Sequence, residues 1–595
     1  KANSGASNSR NIGTNQQNNI YNGSNSAYGS NSAYGMSALS TRYYSEYRFT
    51  SLAAELNSRV GNWNNTLRGT YSFQDQPRSN EYGDQPTVEI VMDDGQGHFP
   101  TWAFMGNDVF TAGNLSQTKN FVLTDELSTT IGGHHLFAGL QYAYNRAVNG
   151  YAQAASGYYA YEATKEQIDN RDWASVFAAT PRLFAITYGN NPGHSMFEAQ
   201  MSTHQYALYL QDNMDLTDNL KLSLGLRFEL PHYPSLSDNF NQEYYDLAFG
   251  SEHYRTDNVP GNSISVSPRV GFNWDVTGER KYILRGGTGI FVGRMPFVWL
   301  VSAVGNSGMG QTTYTSVAGN IAYPKFTMNT GDMLTQIGAT SKTSVPGGPT
   351  IMGDDLRMPK TWKMSLAFDA KLPYDIDFTL EGIYNRDLNP CVVTNKNVYW
   401  DGKSTIWLAP LDERKYMSTY GRNQAYVIEN AGKKAYYWSL TAQLHKKFAF
   451  GLDLSAAYTH SRAKSYSEGI GDQVSSAYTN YRNSINAVND HETGYATYVA
   501  PNRVLISASY KLKEGRNAAS TFSLIYDGSE NGYMGNYSYS RYSYIFNGNV
   551  TNDPSAPGNL IRIPASREEL NDWNFADNGQ YTDAAGNRQT YTADM

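Results

Sequence analysis

The sequence predicts an all-β fold: an antiparallel transmembrane β-barrel with short turns at one end and long loops at the other. Three observations carry this. Apolar and polar residues alternate with period two, the repeat of side chains across a strand. The alternating stretches run to about ten residues, the length a tilted strand needs to cross a bilayer. They come in pairs joined by tight turns, while every second connection is long. Tyr206–Leu230, YALYLQDNMDLTDNLKLSLGLRFEL, shows all of this at once. Leu220, Leu222, Leu224, Leu226, Phe228 and Leu230 fall on one face, and Lys221, Ser223, Gly225, Arg227 and Glu229 on the other. Tyr206, Leu208 and Leu210 repeat the pattern before a polar turn at Asp215–Asn219.

Composition is consistent with a membrane barrel. The chain has 595 residues, 40% of them hydrophobic, and a mean hydropathy of −0.55. The longest apolar run, Met295–Val304, contains Pro296 and is about half a transmembrane helix. Low hydropathy does not exclude a barrel, because only alternate residues face lipid. Aromatic residues make up 14% of the chain, which suits the two girdles of a barrel and also a Tyr-rich soluble β-protein. A net charge of −7 offers no basic footprint for nucleic acid. One cysteine, Cys391, excludes an intrachain disulfide and a cysteine-based metal cage. The chain begins at Lys1 without a signal peptide and reads as a segment of a longer precursor.

Taken in order, residues 1–45 are rich in Asn, Ser and Gly, with a tandem SNSAYG at Ser24–Gly29 and Ser30–Gly35, and read as a flexible loop or linker. Seven hairpins follow. The first sets Leu52, Ala54, Leu56 and Val60 against Leu67, Tyr71 and Phe73 around Gly61–Asn64. The second turns at Gly132-Gly133-His134, between Phe121, Leu123, Leu127 and Leu136, Ala138, Leu140, Tyr142. Tyr206–Leu230 is the third. The fourth runs through Val270, Phe272 and Trp274, turns at Thr277–Glu279 and returns as YILRGGTGIFVGR. The fifth turns at Pro373–Asp375, the sixth at Phe450-Gly451 and the seventh near Glu514-Gly515. A further strand is expected around Tyr537–Phe546. The other connections span roughly 35–65 residues, far beyond ordinary loops. Soluble sandwiches use shorter strands and show no such asymmetry. Short periplasmic turns and long extracellular loops are what outer-membrane barrels have.

Four segments also carry a family resemblance. They are LYLQDNMDLTDNLKLSLGLRFELP (Leu208–Pro231), SPRVGFNWDVTGERKYILRGGTGIFVGRMPFVWL (Ser267–Leu300), PKTWKMSLAFDAKLPYDIDFTLEGIYNRDLN (Pro359–Asn389) and FNGNVTNDPSAPGNLIRIP (Phe546–Pro564). In order and spacing they resemble TonB-dependent outer-membrane receptors of the Oar-like group, from about Phe49 to Pro564. The resemblance implies a barrel of about 22 strands filled by an N-terminal plug and energised through TonB. The chain shows no TonB box, plug or aromatic-ended closing strand, so it reads as a partial barrel of about 14–15 strands. Residues 46–548 are then the barrel, and 549–595 a late-barrel loop region cut before the closing strands. Implied partners are outer-membrane lipid, a plug encoded upstream, the TonB complex through the missing N-terminal part, and a large organic ligand. No cofactor is implied.

Chemical motifs are sparse. His134-His135 sit in a tight turn, and neighbours on a strand point to opposite faces. Asp93-Asp94-Gly95 and Asp527–Gly532 lack the spaced ligands of an EF-hand and read as solvated turns. There is no G-x-S-x-G elbow, and Gly286–Gly289 lies inside a strand rather than opening a helix. No metal site and no enzymatic activity are expected. Arg227, Glu229, Arg269 and Arg285 fall on the polar face, the lumen of a barrel. They read either as the lining of a wet channel or as docking points for a plug. Tyr158, Tyr159 and Tyr161, then Tyr244 and Tyr245, Tyr399 and Trp400, and Tyr537–Tyr544 put aromatics in the long loops. These either contact an organic ligand or pack loop against loop. Two functions stay open: uptake of a large nutrient such as an oligosaccharide or peptide, and adhesion through the loops without transport.

Overall fold

The computed structural model describes residues 2–14, 36–80, 82–92, 101–317, 323–405, 414–420, 423–466, 474–480, 483–484, 487–491, 493–496, 499–513, 518–530 and four short pieces beyond. Fifteen strands follow one another in a single antiparallel sheet. They are β1 (Ala2–Thr14), β2 (Arg42–Val60), β3 (Trp63–Asn80), β4 (Leu115–Ile131), β5 (His134–Gly150), β6 (Glu198–Thr217), β7 (Leu220–His232) and β8 (Ser265–Asp275). Then come β9 (Tyr282–Val292), β10 (Lys360–Leu372), β11 (Ile376–Asp387), β12 (Tyr436–Lys447), β13 (Leu452–Ser465), β14 (Asn502–Lys513) and β15 (Ala519–Ser529). Gly494–Tyr495 adds a short sixteenth strand beside β13. Among the described residues β1 and β15 do not pair with each other, so the sheet is open.

The seven expected hairpins are β2–β3 through β14–β15, and the turns are as short as the alternation requires. Gly61 and Gly132 take φ of +60° and +59°, which a side-chain-bearing residue adopts only with strain. Trp63, expected in a turn, opens β3 instead. The seventh turn lies outside the described residues.

Three expectations are corrected. Ala2–Thr14, within the stretch read as a loop, is a strand paired with Ala54 through Arg42. Its backbone completes the ladder of β2, and that pairing outweighs a composition poor in β-formers. The extra strand expected late in the chain is not in the main sheet: Ile545–Phe546 pairs with Asn559–Leu560, and the rest of that stretch lies outside the described residues. Asp527-Gly528-Ser529 is part of β15 rather than a loop.

The first strands exceed the expected ten residues, β6 reaching 20. Their upper parts rise into loops that have cores of their own. One loop sheet of six strands runs in the order Gln311–Val317, Leu183–Gly189, Tyr158–Ala163, Thr87–Met92, Thr101–Met105, Met36–Ser37. A second has Tyr426–Asn430 between Thr350–Met352 and Cys391–Asn395. The apolar run noted in the sequence forms helix α1 (Phe297–Gly305). Its Trp299, Leu300, Val301, Ala303 and Val304 are buried in one cluster with Ala147, Ala199 and Met201 of the sheet wall. A helix that is apolar over most of its surface must be enclosed, and here the upper wall and the loops enclose it.

Candidate functional site

Alternation gives the main sheet two unlike faces. On the outer face Leu208, Leu210, Leu224, Val270, Met364, Leu366, Leu440, Ile506 and Leu524 are exposed. A band of that extent is a liability in water and is satisfied by lipid. Aromatics border it. Near the turns stand Trp63 and Trp274, with Tyr282 stacked on Phe368 at 6.1 Å. Farther up, Tyr142 meets Tyr206 at 5.4 Å, Trp362 meets Tyr384 at 5.9 Å and Trp438 meets His460 at 5.3 Å. Trp362 is ten residues from Leu372, the turn end of its strand. At about 3.4 Å per residue and about 40° of tilt that is about 26 Å, the height of a lipid-facing band.

The inner face is a wall of hydrogen-bonded charges. Arg68 Nη2 reaches Glu55 at 2.5 Å. Arg227 Nε lies 3.1 Å from Glu229 Oε1, and its Nη2 donates to Gln141 at 2.7 Å. Glu229 also accepts from Gln205 at 3.2 Å. Arg285 Nε donates to Asp369 at 2.8 Å and its Nη1 lies 3.4 Å from Glu381. Thr379 holds the other oxygen of Asp369 at 2.7 Å. Arg269 differs. Its Cζ sits 4.6 Å from the centre of the Phe291 ring, and it has no ion pair among the described residues. Of the four lumen candidates, then, Arg227 and Glu229 form a pair, while Arg269 and Arg285 stand apart.

Most of the loop tyrosines are structural. Tyr158, Tyr159, Tyr161 and Tyr244 are buried, which is the loop-against-loop packing of the two alternatives. Tyr159 packs on Phe184 at 4.9 Å and on Phe326 at 5.3 Å, and burial pushes its phenol up to about 12. Tyr158 donates to the buried Glu89. Tyr244 donates to the carbonyl of Gln424 at 2.6 Å, and burial raises its phenol too. Loop backbone at the surface needs its own core to be ordered, and these rings supply it. Tyr245 is half-buried against Phe240 and His253. Tyr399 is 46% exposed. Trp400 lies in Val398–Thr405, a strand paired with Arg414–Ser418. Tyr537–Tyr544 lies outside the described residues.

A family of outer membrane beta-barrel domains matches residues 4–590. The chain belongs to that family. Its place is the bacterial outer membrane, the solvent in which an exposed greasy band between aromatic rows is stable. No curated protein matches. Among solved structures, this barrel is similar to the outer membrane transporter YddB from Escherichia coli, at 10% identity and a TM-score of 0.49, covering 84% of this chain and 57% of that one. It is also similar to the ferric yersiniabactin uptake receptor FyuA from Yersinia pestis, at 9% identity and a TM-score of 0.40, covering 83% of this chain and 51% of that one. The chain thus spans little more than half the length of these proteins.

The remaining motifs of the barrel are structural. His134 Nδ1 meets Asp212 at 2.7 Å and His135 Nε2 meets Asp215 at 3.4 Å, so the adjacent histidines diverge. No group of three metal-binding side chains occurs among the described residues. Asp527 is taken by Arg503 through two bonds of 2.9 and 2.6 Å, and Asp93-Asp94-Gly95 lies outside the described residues. Glu126 and Lys363 also stand on the inner wall, along with Tyr209 of the polar face. Parity would have found them: Lys363 alternates with Trp362 and Met364 as Arg227 does with Leu226 and Phe228.

Proposed function

We propose that this chain is the barrel segment of a TonB-dependent transport or receptor protein for a large nutrient, such as an oligosaccharide or peptide. The observation that carries the reading is the contrast of faces. A lipid-facing sheet carries hydrogen-bonded charges on its other face, and loops with cores of their own pack against the upper part of its wall. An adhesin would share the loops, the greasy band and a polar inner wall; a plug and TonB box upstream of this segment are what separate the two readings. In this reading Arg227, Glu229, Arg269 and Arg285 face a plug supplied by the upstream part of the protein, and TonB acts through that part. Several modest polar contacts hold a plug that must yield to force better than one greasy interface would.

The test is uptake by the full-length protein in cells with and without functional TonB. Radiolabelled oligosaccharides and peptides should enter only when TonB is active. Surface binding of the same compounds, with no internal label in either strain, would establish the adhesin reading instead.

A further inference from the structure

The inner wall contains one sector built unlike the rest. Strand register places Gly225, Arg269, Gly289, Lys363 and Asn385 on a single row across five strands. The row beneath reads Ser223, Gly271, Gly287 and Ser365. Where the rest of the wall projects long polar side chains, these two rows project almost none between the two cations. The result is a concavity of about 510 Å³. Gly289 is tightly approached: a Cβ there would sit 3.0 Å from Arg269 Cγ and 3.1 Å from the carbonyl of Pro268, so its neighbours would have to give by a few tenths of an ångström.

Two cations overhang this hollow. Arg269 Cζ lies 4.6 Å and Lys363 Nζ 5.3 Å from the centre of the same Phe291 ring. Neither makes an ion pair among the described residues. Asp387, one row up, is held by Thr361 at 3.0 Å and feels the charge of Lys363 without forming an ion pair with it. Elsewhere on the wall Arg68, Arg227, Arg285 and Arg503 all reach carboxylates. Two like charges drawn to one ring repel each other, and the repulsion grows as water is excluded from the lumen. A carboxylate or phosphate between them removes it, with the guanidinium fork donating to two of its oxygens and the ammonium donating to one of these or, in a phosphate, to a third.

We infer that the Arg269–Lys363 hollow is an anion-binding site that takes a carboxylate or phosphate group of whatever occupies the lumen. The inference rests on the lumen being a ligand route, and it narrows the ligand to one bearing such a group. A second source of the same chemistry is an acidic side chain of a polypeptide segment filling the lumen.

The experiment uses purified full-length protein and two probes, citrate and inorganic phosphate, with a neutral trisaccharide as control. The double variant Arg269→Gln/Lys363→Gln is compared with wild type and with Arg503→Gln, a paired arginine on another sector. Gel-shift heat-modifiability verifies that each barrel is folded. Binding of citrate or phosphate that weakens at least tenfold in the double variant, and holds in Arg503→Gln, establishes a free anionic ligand. If small anions do not bind but a zero-length carboxyl-to-amine coupling reagent joins Lys363 to an Asp or Glu outside the barrel wall, so not to Asp387, the site is filled by polypeptide. Anion binding unchanged in the double variant, or neither binding nor coupling, overturns the inference. Because binding is read without uptake, a protein that imports its nutrient yet fails this test refutes the anion site alone.

Discussion

Tyr209 donates its hydroxyl to Glu126 at 2.7 Å by crossing over Gly139, the residue that stands between them in the sheet. The bond spans three strands of the inner wall and exists because Gly139 has no side chain. A Cβ there would meet Tyr209 Cζ at 2.2 Å. Gly139→Ala should therefore push the ring aside and cost about 1–3 kcal/mol, whereas Tyr209→Phe should cost about 1 kcal/mol. In a Tyr209→Ala background the cost of Gly139→Ala should vanish, since the two residues are in contact. Urea unfolding of the barrel in lipid vesicles measures all three, and additive losses would show that the contact is not made.

The lipid-facing assignment makes a second comparison sharp. Leu224 is exposed on the outer face of β7, five residues from the turn at Asn219, and neighbouring Ser223 points into the lumen. Leu224→Arg should cost about 2–4 kcal/mol near the bilayer midplane. Ser223→Arg should be tolerated much better. The readout is the folded fraction in detergent-free vesicles, and equal losses would contradict the assignment of faces.

The loop core gives opposite signs for two neighbouring tyrosines. Tyr159→Ala removes a fully buried ring and should cost about 3–5 kcal/mol of local stability. The Tyr161 hydroxyl is buried without a hydrogen-bond partner. Tyr161→Phe should therefore be neutral or stabilise the loops by about 1 kcal/mol. Hydrogen exchange over Thr87–Met92 and Leu183–Gly189 reports both, because loops open locally without the barrel unfolding.

Cys391 provides a pH-dependent probe. It lies among the loop strands beside Asn430, and burial pushes its thiol up to about 12. In the folded protein it should resist maleimide at pH 8 and react once the loops unfold. A thiol whose folded value lies above the unfolded one favours the folded state below the unfolded value, near 9. That contribution is lost as pH rises from about 9 toward 12, at about 1.4 kcal/mol per unit. Loop stability of wild type relative to Cys391→Ala should therefore fall from pH 9 to pH 11. A constant difference across that window would show that the thiol is not buried.

How much of this was legible in the sequence follows from distance along the chain. Alternation is local, so the faces of the hairpin strands and the inward direction of Arg227, Glu229, Arg269 and Arg285 followed from parity alone. Parity also determined a greasy outer band, and hence the kind of solvent the protein needs. Contacts across many residues were not legible. Nothing local distinguishes Arg285, which meets Asp369 84 residues away, from Arg269, which meets no acid among the described residues. That difference arises from register and from which neighbours are glycine. The loop tyrosines are the same lesson: an aromatic in a polar loop reads as a free surface until the fold stacks Tyr158–Ala163 against Thr87–Met92 and Leu183–Gly189 and buries it. The strand at Ala2–Thr14 likewise exists only because β2 offers an unpaired edge, since hydrogen bonds between backbones do not depend on the side chains that a sequence displays.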